Sequence, residues 1–265
     1  MKRSTKLLVI GSVALAQTAA TVITNAQTWQ DEYAVRMYES PASEKMGYRL
    51  LAPKPLETGK KYPVVLFFHG AGERGDDNAR QLVHCANQFA TPANREKYPA
   101  FVIVPQCPLN QQWVDMPWGA DTGVRPEQPS DAMRLALAIL DSVEKEYAAD
   151  IDLNRVYVSG ISMGGYGTWD CVTRYPARFA AAVPICGGGD ETTVTAEVAK
   201  VPVWAFHSAD DGAVKVTRTR NMIAAMKAAG GNPKYTEYEN VGHGSWGPAY
   251  NDPELFPWLF AQVRK

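Results

Sequence analysis

The chain has 265 residues, a length that a single α/β domain can reach, and a hydrophobic share of 46% supplies a sizeable core. Lys and Arg (27) nearly balance Asp and Glu (28), and no basic stripe interleaved with aromatic residues is present. Nucleic acid is therefore not an expected partner. These properties predict one folded domain.

Residues 1–26 have the organisation of a signal peptide. Basic residues precede an apolar stretch at 7–16, and Thr24-Asn25-Ala26 offers a cleavage site of small residues. A membrane anchor is the alternative, but four polar residues make the segment too polar for a span: Gln17, Thr18, Thr21 and Thr24. We predict an exported protein, periplasmic or extracellular, with no membrane attachment after cleavage and a single folded domain at 27–265.

The first half of the mature chain carries short apolar runs separated by turns. Residues 33–38 and 48–51 look like strands, and 64–68 is a continuous apolar run, typical of a parallel strand buried on both faces. The pattern then predicts a helix over residues 78–89 and a strand over 101–104.

The loop after the strand at 64–68 contains Gly70-Ala-Gly-Glu-Arg-Gly75, a literal Gly-x-Gly-x-x-Gly. A dinucleotide site would need a helix directly after it and an acidic residue at the end of the next strand. Here Asp76-Asp-Asn78 delays the helix, and the next strand ends in Pro105-Gln106. We therefore predict no organic cofactor, and interpret the loop as one that offers the Ala71 amide to an oxyanion.

A long irregular stretch follows Pro105 and includes Trp113 and Trp118. Loops of this length in a compact domain are usually functional or mobile. The two tryptophans either line a substrate cleft or anchor the loop on the body of the protein. Trp246, near the end of the chain, is a third candidate for the cleft.

From residue 130 onwards, helices and strands alternate. Ser130 caps a predicted helix that extends to about Tyr147, and further helices are predicted up to Arg174, over 217–229 and after Asp252. The strands of this half are predicted over residues 156–158, 180–185, 201–206 and 235–238. The alternation implies a mostly parallel sheet of about eight strands with helices on both faces. Ligand sites in such sheets lie beyond the carboxyl ends of the strands.

The sequence Gly160-Ile-Ser-Met-Gly164 lies between a predicted strand and a predicted helix. In that context Gly-x-Ser-x-Gly indicates a nucleophile elbow, with Ser162 as the nucleophile. A chance match is the alternative, but it would rarely fall between these two elements. The same turn would point the amide of Met163 at the reacting centre, beside that of Ala71.

A serine hydroxyl needs a base, usually a histidine that a carboxylate orients. In folds built around such an elbow, the serine comes first along the chain, the Asp or Glu second and the His last. Of the four histidines, only His243 follows the candidate acids. We therefore predict that His243 is the base.

Four aspartates lie between Ser162 and His243. Asp170 should face away from the cleft, Asp190 is a minor candidate, and Asp210 and Asp211 end a predicted strand. We favour Asp211 over Asp210, because an apolar position such as Val214 commonly follows the acid by three residues.

The cysteines carry no metal or redox motif. There are four of them, and none is spaced as Cys-x-x-Cys. If they form disulfides, three pairings are possible, and buried free thiols are equally open. The residues are Cys85, Cys107, Cys171 and Cys186.

Together these motifs resemble the α/β-hydrolase superfamily, and within it the exported esterases of the dienelactone hydrolase, phospholipase/carboxylesterase and feruloyl-esterase-like group. The matching segments are 67–75, 104–108, 160–169, 179–186 and the loops around Asp211 and His243. The resemblance implies hydrolysis of a carboxylic ester through an acyl-enzyme, without a metal or an organic cofactor. Ser162 stands where true dienelactone hydrolases carry a cysteine, which argues against that reaction.

The resemblance also frames the substrate. Relatives that act on plant cell walls remove feruloyl or acetyl groups from xylan, so a small or polysaccharide-linked ester is the expected substrate, and Trp113, Trp118 and Trp246 are compatible with it. The alternatives are a prolyl-oligopeptidase-like serine peptidase, an exported acyltransferase and a non-catalytic carbohydrate-binding protein. The peptidases normally carry a large extra domain, for which this chain leaves little room. Acyl and alcohol preference and oligomeric state stay open.

Overall fold

In the computed structural model, which describes residues 28–264, eight strands form a single sheet. The predicted signal peptide, residues 1–26, lies outside the described residues. The order across the sheet is β1-β2-β4-β3-β5-β6-β7-β8. The strands are β1 (Tyr33–Glu39), β2 (Lys45–Leu51), β3 (Tyr62–Phe68), β4 (Phe101–Pro105), β5 (Ile151–Ile161), β6 (Ala181–Ile185), β7 (Trp204–Ser208) and β8 (Lys234–Tyr238).

Most of the sheet is parallel. Only β2 runs antiparallel to its neighbours, β1 and β4, while the pairs from β4 through β3, β5, β6 and β7 to β8 are parallel. The prediction of about eight mostly parallel strands is confirmed. Parallel pairing places the carboxyl ends of β3, β5, β7 and β8 along one edge, where their following loops meet.

The centre of the sheet is buried on both faces. All seven residues of β3 are buried, and they alternate between two clusters: Val64, Leu66 and Phe68 face one side, and Val65 and Phe67 the other. Burying a side chain of this size contributes about 1.5–3 kcal/mol. A continuous apolar run is what such a strand needs, which is why residues 64–68 could be identified from the sequence.

Helices cover both faces. Residues of α3, α4 and α6 pack on the face of Leu66, and residues of α1, α7 and α8 on the face of Phe67. The helices are α1 (Ala86–Ala90), α2 (Pro92–Lys97), α3 (Asp131–Glu146), α4 (Met163–Arg174), α5 (Ala196–Ala199), α6 (Thr217–Ala228), α7 (Trp246–Tyr250) and α8 (Leu255–Phe260). Ser130 caps α3 as predicted, since its hydroxyl accepts a hydrogen bond from the Met133 amide at 3.1 Å.

The helix predicted over residues 78–89 does not form. In its place are a 3-10 turn, Arg80–Leu82, and the short helix α1. Asn78 and Cys85 adopt positive φ angles of 50° and 65°, which break a right-handed helix. The prediction is wrong because tertiary contacts hold Asn78: its amide donates to the Gln106 side chain at 2.6 Å, and Nδ2 donates to the Arg36 carbonyl at 2.9 Å.

The four cysteines are all buried free thiols, at positions 85, 107, 171 and 186. None of the three possible pairings is therefore present. Between residues 28 and 264, no helix combines the length and the apolar character that a membrane span requires.

Candidate active site

The strand β5 passes into α4 through a turn of one residue, Ser162, with φ 54° and ψ −118°. A non-glycine residue in this region is strained by about 1–3 kcal/mol. The turn also brings backbones into direct contact. A Cβ on Gly164 would lie 2.0 Å from the Phe68 carbonyl oxygen, and one on Gly160 would lie 2.3 Å from the Gly164 carbonyl oxygen. Only glycine fits at these two positions, as the elbow pattern predicts.

The structure brings Ser162, His243 and Asp211 together. Nε2 of His243 lies 2.8 Å from Oγ of Ser162, and its Nδ1 lies 2.8 Å from Oδ2 of Asp211. The Asp211 side chain is fully buried, whereas that of His243 is 28% exposed. A buried carboxylate, a partly exposed imidazole and a serine hydroxyl at the end of a strand form one continuous hydrogen-bonded line.

Asp211 is held as a carboxylate. Burial alone would raise its pKa, but hydrogen bonds from His207 and His243, and from the amides of Val214 and Ala213, outweigh burial and hold its pKa well below the usual range. The two amides donate to Oδ1 at 2.9 and 2.8 Å. Because the carboxylate can only accept, Nδ1 of His243 carries the proton, and Nε2 is free to accept the hydroxyl proton of Ser162.

A second histidine, His207, contacts the same carboxylate. Its Nε2 lies 3.2 Å from Oδ2 of Asp211 and 3.0 Å from the Val214 carbonyl oxygen, and its Nδ1 lies 2.8 Å from Oγ1 of Thr219. His207 has no exposed surface. The order Ser, Asp, His along the chain argues against His207 as the base. Its contact with Asp211 was not predicted, although its position in β7, four residues before Asp211, could have indicated it.

Asp210 lies beside Asp211 but contacts other groups. Its Oδ1 accepts hydrogen bonds from the amide of Gly242 at 2.9 Å, from the amide of Val241 at 3.2 Å and from Oγ of Ser208 at 2.5 Å. Asp210 therefore ties the end of β7 to the loop that carries His243. The preference for Asp211 over Asp210 as the partner of His243 agrees with these distances.

The other two aspartates lie away from His243. Asp170 forms an ion pair with Arg174 at 2.7 Å, and its side chain is almost fully buried. Asp190 accepts hydrogen bonds from the Arg125 amide at 3.0 Å and from the Thr192 amide at 3.1 Å. Neither forms a hydrogen bond with His243.

The two amides predicted to bind an oxyanion are unpaired. Ala71 begins a 3-10 turn after β3, and Met163 is the first residue of α4. Neither amide donates a hydrogen bond to any group between residues 28 and 264. The loop before Ala71 lies beside the nucleophile, since a Cβ on Gly70 would be 3.6 Å from that of Ser162. The amino-terminal end of α4 adds a favourable dipole for negative charge.

His69, at the start of this loop, is a structural residue. Its Nε2 accepts a hydrogen bond from the Cys107 amide at 2.9 Å, and Nδ1 lies 2.6 Å from the Gly70 carbonyl oxygen. Nδ1 therefore carries the proton. Burial lowers the pKa of His69 to about 4, so the ring is neutral at pH 7. Its ring nitrogens are both occupied by backbone groups, so His69 shapes the loop and forms no hydrogen bond with Ser162.

A cavity of about 310 Å³ opens over Ser162. Of the three tryptophans that were candidates for the cleft, Trp118 and Trp246 line the cavity. Trp113 does not: it is fully buried, its Nε1 donates to the His69 carbonyl at 3.0 Å, and its ring lies 4.7 Å from that of Phe68. Trp113 anchors the loop instead, because its large apolar surface is stabilised in the core. The lining residues are Gly70, Ala71, Gly72, Glu73, His84, Trp118, Ile161, Ser162, Ala213, Val214, His243 and Trp246.

Two polar lining residues, Glu73 and His84, were not singled out from the sequence. Glu73 lies two residues after Ala71, so its position in the same loop could have indicated from the sequence that it lines the cavity. His84 lies in the segment whose helix prediction failed, and its position depends on the bends around Cys85.

Among the described residues, one set of three metal-ligating side chains lies close together: Cys186, Asp211 and His243, with ligand atoms within 4.8 Å of one another. This set does not fit a metal. Burial raises the pKa of the Cys186 thiol, which favours the protonated form, whereas a metal needs the thiolate. The Asp211 carboxylate and Nδ1 of His243 are already bonded to each other.

Comparison with known proteins gives a consistent picture. A family model described as phospholipase/carboxylesterase matches residues 56–252. A crystal structure of a thermostable esterase is 38% identical, with a TM-score of 0.82, over 89% of this chain and 64% of that chain. This chain therefore spans less than two thirds of that protein.

Two other similarities are more distant. A probable inactive carboxylesterase of Oryza sativa subsp. japonica is 24% identical over 192 residues, which are 68% of this chain and 77% of that protein. The feruloyl esterase module of Clostridium thermocellum, solved with sinapinate, has a TM-score of 0.64 at 17% identity, over 93% of this chain and 94% of that chain. At this identity the second likeness shows the fold alone.

Proposed function

This chain belongs to the phospholipase/carboxylesterase family and has the α/β-hydrolase fold, and on that premise we propose that it is a serine carboxylesterase that works through an acyl-enzyme. The observation that carries the proposal is the line of two 2.8 Å contacts from Ser162 through His243 to Asp211. Family membership alone is not enough, because a relative is described as probably inactive.

In the first half of the reaction, Nε2 of His243 takes the hydroxyl proton of Ser162 as Oγ attacks the ester carbonyl carbon. The negative charge that develops on the carbonyl oxygen is stabilised by the amides of Ala71 and Met163. Each such donor is worth about 3 kcal/mol in the transition state. The intermediate then expels the alcohol, whose oxygen takes the proton from Nε2.

In the second half, water replaces the alcohol. Nε2 of His243 takes a proton from water, and the hydroxide attacks the acyl carbon of the acyl-enzyme. The bond to Oγ of Ser162 breaks, Oγ regains the proton, and the carboxylic acid leaves. Asp211 keeps Nδ1 protonated throughout and stabilises the imidazolium that forms in both halves.

For the substrate, we propose feruloyl or acetyl esters of plant polysaccharides, cleaved outside the cell by an exported protein. Trp118 and Trp246 line the cavity and offer aromatic surface to such groups. The fold is shared with a feruloyl esterase module. The amino-terminal segment has the composition of a signal peptide.

The mechanism is tested with Ser162→Ala. We expect this variant to lose hydrolysis of p-nitrophenyl acetate by at least about 10³-fold and to lose labelling by a fluorophosphonate probe, with an unchanged circular dichroism spectrum. Ser142→Ala, which removes a hydroxyl from the exposed face of α3, is the matched control and should keep both. Full activity of the Ser162→Ala protein would refute the assignment.

A substrate panel separates the remaining functions. It contains p-nitrophenyl esters of rising chain length, methyl ferulate, acetylated xylan and a peptide substrate. Preferential cleavage of the peptide would identify a peptidase, and transfer to an added sugar alcohol in place of hydrolysis would identify an acyltransferase. Failure of the wild-type protein to react with the fluorophosphonate probe would indicate a non-catalytic binding protein.

A further inference from the structure

One wall of the cavity carries polar groups that the ester-cleaving steps do not use. Glu73 and His84 both line it, and Nε2 of His84 lies 3.6 Å from Oε1 of Glu73. The side chains are 12% and 38% exposed. Between residues 28 and 264, the Glu73 carboxylate accepts no hydrogen bond, so it is free to accept one from a ligand.

Aromatic contacts connect this wall to the base. The Trp246 ring stands perpendicular to that of His243, with centroids 5.4 Å apart, and the His84 ring lies 5.2 Å from that of Trp246. The leaving alcohol takes its proton from His243, so it departs along this side of the cavity. Trp246, His84 and Glu73 line the cavity on this side.

The other lining side chains differ in character. Trp118, Ala213 and Val214 present apolar surface. Trp118 is positioned by two residues that do not belong to the polar wall. Its backbone carbonyl accepts a hydrogen bond from the Tyr166 hydroxyl at 3.2 Å, and its ring centroid lies 5.9 Å from the Arg74 guanidinium carbon. The cavity thus offers a polar wall for one part of an ester and an apolar wall for the other.

The Glu73 carboxylate packs closely on the backbone before Ala71, since a Cβ on Gly70 would lie 2.9 Å from its Oε2. The backbone carbonyl of Glu73 accepts a hydrogen bond from Nε2 of Gln106 at 3.2 Å, which positions its main chain. Close packing restricts the side chain, so it has less conformational entropy to lose when it binds a ligand.

We propose that Glu73 and His84 form the subsite for the leaving alcohol and select esters of neutral polyhydroxy alcohols, such as sugars. A carboxylate accepts hydrogen bonds from two hydroxyls, an imidazole can donate and accept, and the Trp246 ring covers the apolar face of a sugar. The negative charge of Glu73 disfavours anionic alcohols. The subsite rests on the proposed esterase function, since it assigns the alcohol side by the direction of proton transfer.

The test varies the alcohol and keeps the acyl group. We compare kcat/KM for an acetylated methyl xyloside with kcat/KM for butyl acetate. The wild-type protein should prefer the sugar ester, and Glu73→Gln should lower the ratio about tenfold, mainly through KM, because the contact forms in the ground state as well. His84→Phe, which keeps a ring against Trp246, should lower the ratio about threefold. Glu96→Gln, on the exposed side of α2, is the matched control and should leave the ratio unchanged.

Two results would overturn the proposal. If Glu73→Gln leaves the ratio of the two kcat/KM values unchanged, or lowers kcat/KM equally for both esters, Glu73 does not distinguish between the alcohols. A stronger preference of the wild-type protein for acetylcholine than for the sugar ester would assign the carboxylate and the tryptophan to a cationic alcohol instead.

A binding measurement separates this proposal from the catalytic one. Calorimetry with the Ser162→Ala protein measures the affinity for the sugar ester without turnover. Adding Glu73→Gln to that protein should weaken binding about tenfold. If the wild-type protein lacks Ser162-dependent hydrolysis but this binding difference is present, the esterase function fails, and with it the leaving-alcohol role, while sugar binding by Glu73 stands. If hydrolysis is present but the binding difference is absent, the subsite fails alone.

Discussion

The two sides of the catalytic site are built in different ways. On the elbow side, residues 160–164, close packing of backbones places the proposed nucleophile, Ser162: a Cβ on Gly164 would lie 2.0 Å from the Phe68 carbonyl oxygen. On the loop side, residues 209–216 and 239–246, polar contacts place the base. Asp211 forms a hydrogen bond with His243 at 2.8 Å, and Asp210 accepts hydrogen bonds from two backbone amides of the loop that carries His243.

This difference determines which substitutions each side tolerates. The elbow side should be intolerant of a single added methyl group, because its backbones are in contact with one another. The loop side should accept added volume but not a change in the hydrogen bonds that orient His243. Each expectation can be tested with a matched pair of variants.

The largest effect should come from adding a methyl group. Gly164→Ala places a Cβ against the Phe68 carbonyl, and we expect a loss of more than about 4 kcal/mol in the free energy of unfolding, enough to prevent folding. Gly244→Ala adds the same methyl on the loop side, where a Cβ would have no atom within 4 Å. Soluble yield and thermal unfolding by circular dichroism measure both. Equal stability of the two variants would contradict the comparison.

The next effect concerns charge on the loop side. Asp211→Asn keeps the volume but presents an amide to His243, which favours the wrong tautomer, and kcat should fall by about 10⁴-fold. Asp210→Asn still offers an oxygen to the amides of Gly242 and Val241, so its kcat should stay within about threefold of the wild type. Hydrolysis of p-nitrophenyl acetate checks both. Similar losses in the two variants would show that these carboxylates share one role.

The smallest effect concerns the polar contact of His69 beside the elbow. Burial lowers its pKa from about 6.5 to about 4, so the unfolded chain binds more protons between these pH values. Stability should therefore fall as the pH falls through this window, by about 3 kcal/mol from this residue. His69→Gln removes the titration, so urea unfolding at pH 7 and pH 4 should show a smaller loss than in the wild type. An identical loss in both proteins would show that His69 does not contribute.

The sequence predicted the parts of the site that depend on local pattern. Apolar runs identified the strands, and Gly160 and Gly164 identified the elbow, because a close approach of backbones excludes every other residue there. The order of Ser162, Asp211 and His243 along the chain followed from the fold. The strand and elbow signals lie within a few residues of the features they predict, whereas the order of the three side chains is a constraint of the fold.

The missed features depend on contacts between distant segments. Hydrogen bonds to distant residues hold the bend at Asn78, and Cys85 adds a second positive φ, so periodicity over 78–89 indicated a helix that does not form. Trp113 could have faced either the cleft or the core, and only packing against Phe68 decides this. Glu73 and His84 come together across two loops, and no local pattern shows that they meet.

The strained backbone at Ser162 has a consequence for the descent of this fold. A φ of 54° costs about 1–3 kcal/mol with a serine and little with a glycine. A lineage that no longer used the site would gain stability by replacing this serine with glycine. It would still need Gly160 and Gly164, since the sheet and α4 pack through them whether or not esters are cleaved. In a lineage that loses the activity, we therefore expect position 162 to be substituted first, while Gly160 and Gly164 are retained.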